Sequence, residues 1–248
     1  MSTDTGAPGA VVGAEHRTPV LELVGARAGY GAIQALHGVD LTVHPGSVVA
    51  LLGPNGGGKS TTMKVCTGLL PLNGGELRLA GRRVNGLSAQ EIAKLGVCAI
   101  PEGRGVFANL TVRENLWIAS GTGTDLKKIE EVAYARFPIL GKRRNQLAGS
   151  MSGGEQQMLA LSRALATDPA VLLLDELSMG LAPMIVSQMY ETVAELVAGG
   201  LSVLVAEQFA RVVLPIADTA ALMLHGRIVA TGSPDEIEGR LSSEYLGG

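Results

Sequence analysis

A glycine-rich segment has the residue types and spacing of a phosphate-binding loop. Residues 53–60 have the sequence GPNGGGKS, which matches the pattern G-x-x-x-x-G-K-[ST]. Glycines let successive backbone N–H groups point at phosphate oxygens, and the N-terminus of the following helix adds positive dipole. Lys59 would reach the terminal phosphates, and the Ser60 hydroxyl could ligate Mg²⁺. The predicted nucleotide contacts in this segment are Gly53, Asn55, Gly56, Gly57, Gly58, Lys59, Ser60 and Thr61.

Two adjacent carboxylates, Asp175 and Glu176, end the apolar run 171–174. An apolar strand that ends in Asp places a carboxylate at the carboxyl edge of a sheet, where it can hold Mg²⁺ beside the phosphate loop. Glu176 could orient a water that attacks the terminal phosphorus and accept its proton. This pair favours an ATPase over a kinase. A GTPase is disfavoured because none of the six asparagines begins the Asn-Lys-x-Asp pattern that reads guanine.

A third motif, Ser152-Gly153-Gly154-Glu155, precedes a run with helical apolar spacing. Ser152 and Glu155 are spaced as a capping box, which alone predicts only a helix start. Gly153 and Gly154 are poor helix formers, so their presence here suggests that a phosphate approaches this backbone.

The elements that position these motifs follow from hydrophobic periodicity. Strands are predicted over 20–24, 39–43, 48–52, 76–79, 97–100, 171–174, 202–205 and 220–224, and helices over 59–70, 89–95, 183–197 and 209–214. The stretch 111–165 has almost only helical patterns, with Asn109 or Thr111 as its first cap. Alternating strands and helices predict a mostly parallel sheet with helices on its faces.

Composition excludes several classes of protein. Of the 248 residues, 46% are hydrophobic and 17% charged, which excludes disorder of the whole chain. A net charge of -3 provides no basic surface for nucleic acid, so we expect no nucleic-acid partner. The apolar runs are far shorter than the ~18 residues of a membrane span, and residues 1–18 look like a flexible tail without a secretory signal. Cys66 and Cys98 have no metal or redox spacing, which is typical of a reducing cytoplasm.

The order and spacing of the three motifs resemble those of the nucleotide-binding subunit of an ABC transporter, over about residues 20–235. Residues 101–104 (Pro-Glu-Gly-Arg), 181–183 (Leu-Ala-Pro) and 207–208 (Glu-Gln) further resemble the ATP-binding subunits of branched-chain amino acid importers. Importers of urea and short amides are similar in the same places.

The resemblance implies an α/β fold, with a RecA-like P-loop NTPase core, an N-terminal antiparallel β-subdomain and an inserted helical subdomain. It implies one ABC-type ATPase domain over residues 19–248, with the insertion at about 103–165. Two chains would sandwich two ATP molecules, so that Ser152, Gly153 and Gly154 contact the γ-phosphate bound by the opposite subunit. Tyr30 would stack on adenine.

The sequence departs from the wider superfamily at two implied site residues. Glu102 stands where most members have glutamine, and it retains oxygen ligands for Mg²⁺ or water. Gln208 replaces the usual switch histidine, and its amide can still donate to the γ-phosphate. The predicted catalytic residues are Glu176, Gln208, Lys59 and Glu102, and the predicted metal ligands are Ser60, Asp175 and Glu102.

We therefore predict an ATP hydrolase, with ATP and Mg²⁺ as cofactors, that powers import of a small solute such as a branched-chain amino acid. The resemblance implies transmembrane permease subunits, a second identical or related ATPase subunit and, indirectly, an extracytoplasmic solute-binding protein as partners. It places the chain in the cytoplasm, on the inner face of the cell membrane. Two alternatives stay open: a soluble ABC ATPase that acts on a macromolecular or cofactor-assembly partner, and a P-loop phosphotransferase.

Overall fold

The structure of this chain is a computed structural model that describes residues 18–103 and 105–246. Residues 1–17 of the predicted tail and Arg104 of the importer-like segment lie outside the described residues. The strands are β1 Leu21–Tyr30, β2 Ile33–Val43, β3 Val48–Leu52, β4 Gly74–Leu79, β5 Arg82–Arg83, β6 Val97–Ile100, β7 Val171–Asp175, β8 Ser202–Glu207, β9 Thr219–Leu224 and β10 Arg227–Gly232. The helices are α1 Lys59–Cys66, α2 Ala89–Lys94, α3 Val112–Ala119, α4 Leu126–Arg136, α5 Pro138–Lys142, α6 Gly153–Leu165, α7 Pro183–Ala198, α8 Ala210–Val213 and α9 Pro234–Leu246.

The central sheet has the strand order β10-β9-β3-β8-β7-β6. All neighbours pair in parallel except β10, which pairs antiparallel with β9 at one edge. Every residue of β3, β7 and β8 is buried, as expected for parallel strands that are covered on both faces. The predicted mostly parallel sheet is confirmed.

Side chains of this sheet alternate between two hydrophobic cores. Val48, Ala50 and Leu52 of β3 pack into a core with helices α3, α6 and α7. Val49 and Leu51 point to the opposite face and pack with α1 and with the second sheet. The two-residue period of a strand divides the apolar residues in this way. Both faces of β3 are therefore anchored, which holds the loop that follows it.

The second sheet is antiparallel, with strand order β2-β1-β4-β5. Its apolar side chains, such as Leu21 and Leu23, share the second core with Met63 of α1 and Leu204 of β8. The antiparallel β-layer that the resemblance implies is confirmed, and it covers the α1 side of the central sheet.

Helices fill the segment between β6 and β7, as predicted. Thr111 caps α3 and Ser152 caps α6, each in a capping box with the glutamate three residues later. Within the described residues, the chain has no helix that is both long and apolar enough to span a membrane.

Some element boundaries differ from the predicted ones. Helix α1 ends at Cys66, four residues before the predicted end, because Gly68 adopts a left-handed φ of 72°. Strand β10 and helix α9 were not predicted. Strand β10 alternates between exposed and half-buried positions, and in the part of α9 whose side chains are described, residues 234–241, Ile237 is buried.

Candidate functional site

The loop between β3 and α1 is shaped by glycines whose space is taken by neighbouring backbone. A Cβ at Gly53 would collide with the carbonyl of Met223, and one at Gly57 would lie 2.9 Å from the carbonyl oxygen of Pro54. Gly56 differs, because its φ is 77° but a Cβ there would meet no atom within 4 Å. The loop therefore curls tightly against the protein on one side and opens at Gly56 to a cleft of about 520 Å³. This shape, ahead of a helix N-terminus, fits the phosphates of a nucleotide.

Lys59, the first residue of α1, is buried at the base of this cleft. Its Nζ donates to the carbonyl oxygens of Gly53 (2.9 Å) and Pro54 (3.2 Å). The same Nζ lies 3.3 Å from Oε1 of Glu176, so the lysine and this carboxylate form an ion pair. Two predicted catalytic residues are thus brought together, although 116 positions separate them in the sequence.

The predicted metal ligands Ser60 and Asp175 are in contact. Ser60 Oγ donates to Asp175 Oδ1 at 3.3 Å. Burial raises the pKa of Asp175, the hydrogen bond from Ser60 opposes that shift, and the charges of Glu176 and Glu102 raise it further. A hydroxyl and carboxylates are the hard oxygen donors that Mg²⁺ prefers, so these residues fit the implied ion.

Glu176 follows β7 in an unusual backbone conformation. Its φ is 52°, a left-handed value that costs a non-glycine residue about 1 kcal/mol or more. Its N–H donates to the carbonyl of Ala206 at 2.9 Å, which continues the pairing of β7 with β8 beyond the strand end. This hydrogen bond keeps the buried carboxylate directed at Lys59. Glu102, just after β6, is exposed and lines the same cleft.

Several residues of the cleft were not identified from the sequence. They come from β2 and from the turn between β9 and β10, and they are Ile33, Gln34, Ala35, His37, His225 and Gly226. The Gly226 N–H donates to the carbonyl of Gly57 at 2.8 Å, so this turn supports the phosphate loop from behind. The dipeptide His225-Gly226 between two apolar runs predicts a turn. Its contact with a loop about 170 residues earlier has no sequence signal.

The remaining predicted residues lie outside the cleft lining. Tyr30 is 46% exposed, with its hydroxyl 3.5 Å from Thr61 Oγ1 and its ring beneath Lys64. Gln208 is exposed directly after β8, and Ser152 is exposed at the N-terminus of α6. Gly154 has a packing reason of its own, since a Cβ there would lie 2.5 Å from Ile185 of α7.

Comparison with known proteins agrees with this geometry. The family model described as ABC transporter matches residues 36–178. A high-affinity branched-chain amino acid transport ATP-binding protein, BraG of Pseudomonas aeruginosa, is 42% identical over 88% of this chain and 96% of its own length. A probable branched-chain amino acid transport ATP-binding protein, LivF of Archaeoglobus fulgidus, is 36% identical over 88% of this chain and 94% of its own length.

A solved structure shows the same fold. The nucleotide-free ATP-binding cassette of an ABC transporter superposes with a TM-score of 0.80, at 27% identity, over 90% of this chain and 95% of that one. The match in sequence, the shared fold and the arrangement of the phosphate loop beside two carboxylates lead to one conclusion. The chain belongs to the ABC transporter family, as a subunit that binds and hydrolyses ATP.

Proposed function

We propose that this subunit uses Mg²⁺ and ATP to power the import of branched-chain amino acids through separate permease subunits. The observation that carries the proposal is the meeting of the phosphate loop with Asp175 and Glu176. Lys59 pairs with Glu176 and Ser60 with Asp175 at the base of one open cleft. Relatives named for branched-chain amino acid transport suggest the solute.

The chain's own residues account for each requirement of hydrolysis. The amides of residues 56–60 and the Lys59 ammonium would bind the terminal phosphates. Ser60, Asp175 and Glu102 would hold Mg²⁺, which when bound would supply positive charge beside the phosphates. Glu176 would take a proton from the attacking water. Because Lys59 is paired with Glu176 in this structure, its transfer to the phosphates would release the carboxylate for that role.

The exposed predicted residues support a two-subunit site. Ser152 and the first turn of α6 do not line the cleft of their own chain. In the proposed dimer, Ser152 and the first turn of α6 contact the nucleotide that the second ATPase subunit binds. Tyr30 would stack on the adenine, and Gln208 would donate to the γ-phosphate, of the nucleotide bound by their own chain. We further propose one ATPase domain over residues 19–248, bound at the cytoplasmic face of the membrane beside its permeases, with a solute-binding protein acting indirectly.

Transport measurements test this function. The chain is expressed in its host, and the membrane proteins that co-purify with it are reconstituted with it in proteoliposomes. We expect ATP-dependent uptake of labelled leucine, and none when Glu176→Gln replaces the wild-type chain. Urea and acetamide, used as competitors, distinguish the related amide importers. Uptake of neither class, or phosphate transferred to a small acceptor instead of released, would contradict the proposal.

A further inference from the structure

Behind the cleft lies a buried carboxylate, Glu207, that the proposed chemistry does not use. It is the last residue of β8 and is 1% exposed. Within residues 18–103 and 105–246, no lysine, arginine or histidine forms an ion pair with it. A buried carboxylate without a cation is costly unless hydrogen bonds satisfy its oxygens. The Glu207 carboxylate therefore depends on hydrogen bonds from its neighbours.

Three donors satisfy this carboxylate. Oε1 accepts from the Ser178 N–H at 2.9 Å and from the Tyr190 hydroxyl at 2.6 Å, and Oε2 accepts from the Ser178 hydroxyl at 2.9 Å. Ser178 lies two residues after Glu176, in the loop between β7 and α7, whereas Tyr190 is buried within α7. The side chain of Glu207 thus connects that loop to a rigid helix.

The backbone of Glu207 makes a second set of connections. It pairs with Leu52 at the end of β3, and its carbonyl accepts from the Gly53 N–H at 3.3 Å, where the phosphate loop begins. The preceding residue, Ala206, accepts from the Glu176 N–H, and the next is Gln208. One residue therefore contacts the start of the phosphate loop and the loop after Glu176.

We propose that Glu207 is a positioning residue, which with Tyr190 and Ser178 holds the loop after β7 so that Glu176 keeps its left-handed backbone and its direction toward the phosphates. Glu176 has a φ of 52° and relaxes unless its surroundings fix it. The hydrogen bond from the Glu176 N–H to Ala206 holds one side of this residue. The hydrogen bonds from Ser178 to Glu207 hold the loop on the other side. The inference rests on the proposed role of Glu176 as the base.

Conservative substitutions separate positioning from simple packing. Tyr190→Phe removes only the hydroxyl, and Glu207→Leu removes all three hydrogen bonds. Glu207→Gln keeps an acceptor at Oε1, and its Nε2 can donate to the Ser178 hydroxyl, which then accepts. Tyr134→Phe is the matched control, because its hydroxyl also donates to a glutamate, Glu130 at 3.1 Å, within the helical segment.

The measurement is steady-state ATP hydrolysis by full-length chains, at a temperature where circular dichroism shows each to be folded. We expect Tyr190→Phe and Glu207→Leu to lower kcat by about tenfold with KM for ATP changed less than about twofold, since misplacing a reacting group acts on the transition state. Glu207→Gln should stay within about threefold of wild type, and Tyr134→Phe should match it.

The outcomes are decisive in each direction. Any one of three results would overturn the inference. They are a wild-type kcat for Tyr190→Phe, a Glu207→Gln chain as slow as Glu207→Leu, and a change confined to KM. If Glu207→Leu does not fold, Tyr190→Phe and Glu207→Gln decide it alone. Wild-type hydrolysis by Glu176→Gln would refute the proposed base instead, so the two failures are distinguishable.

Discussion

At the scale of single residues, the ammonium group of Lys59 contacts several partners in the cleft. Lys59 is buried, yet it is satisfied by two carbonyl oxygens and the carboxylate of Glu176. Charge-assisted contacts of this kind offset the cost of burying the ammonium. They also keep it where phosphate oxygens can replace these partners.

Replacement of Glu176 by glutamine tests the assignment of the base. We expect Glu176→Gln to bind ATP but to hydrolyse it on the order of 10²-fold more slowly, because an amide cannot accept the proton of the attacking water. Binding is measured with a fluorescent ATP analogue and hydrolysis by phosphate release, and a dimer that persists with ATP should elute on size exclusion. Glu191→Gln, an exposed change on α7, is the control. Equal rates for the two variants would exclude Glu176 as the base.

None of the residues that the structure describes makes a hydrogen bond to the Gln208 amide, which leaves it available to a ligand at the exposed end of β8. We expect Gln208→Ala to lower kcat more than it weakens ATP binding, since a bond to the γ-phosphate matters most in the transition state. Gln208→His should remain active and should gain a rate dependence near pH ~6.5, the ordinary pKa of an imidazole. Rates from acid to mild alkali check both, with Gln188→Ala as control. A Gln208→Ala chain equal to wild type at every pH would leave this residue without a role.

At the scale of elements, the turn between β9 and β10 supports the phosphate loop. Gly226 donates to Gly57 and accepts from the His37 N–H, so the turn joins β2 to the loop. Its φ is 72°, and a Cβ would collide with the carbonyl of Ala35. A substitution there combines backbone strain with a clash against another strand.

We expect Gly226→Ala to lower the free energy of unfolding by about 2–4 kcal/mol, and to weaken ATP binding because the loop loses its support. Gly86→Ala is the matched control, since Gly86 also has a positive φ (81°) but a Cβ there meets nothing within 4 Å. Its cost should be about 1 kcal/mol, from strain alone. Urea midpoints at unchanged m-value give both numbers. Similar urea midpoints for Gly226→Ala and Gly86→Ala would show that the turn accommodates the added Cβ without a further loss of stability.

At the scale of the whole molecule, the motif Ser152-Gly153-Gly154-Glu155 lies outside the lining of the cleft. Ser152 caps α6 and is exposed, whereas the phosphate loop lies at the carboxyl edge of the central sheet. We propose that a site that needs both is completed by a second ATPase subunit.

Mixing experiments test this composite site. Ser152→Arg should bind ATP as an isolated chain but not hydrolyse it, because the added guanidinium blocks the surface that meets the partner's nucleotide. Mixed with Lys59→Ala chains, it should recover part of the activity, since one complete site is then rebuilt. Ser88→Arg, the same change at the exposed capping box of α2, should leave hydrolysis unchanged. Full activity of Ser152→Arg alone would rule out this arrangement.

Sequence alone determined the local features, because each depends on residues that are close along the chain. Short-range patterns identify the phosphate loop, the Asp-Glu pair after an apolar run, the capping box of α6 and the strands β3, β7 and β8. Their motifs also carried the resemblance to the family. Strand β10 was missed because its mixed apolar and polar residues show no clear period, whereas α9 was missed although Ile237 and Leu241 are four residues apart.

Only the tertiary structure decided which distant residues share the site. Three contacts join residues that lie far apart in sequence. They are the ion pair of Lys59 with Glu176, the hydrogen bond from Gly226 to Gly57 and the hydrogen bond from Ser178 to Glu207. Parallel strands bring their carboxyl ends to one edge, but register and strand order select the neighbours. That selection follows from packing two cores against opposite faces of one sheet, a global property that no local pattern contains.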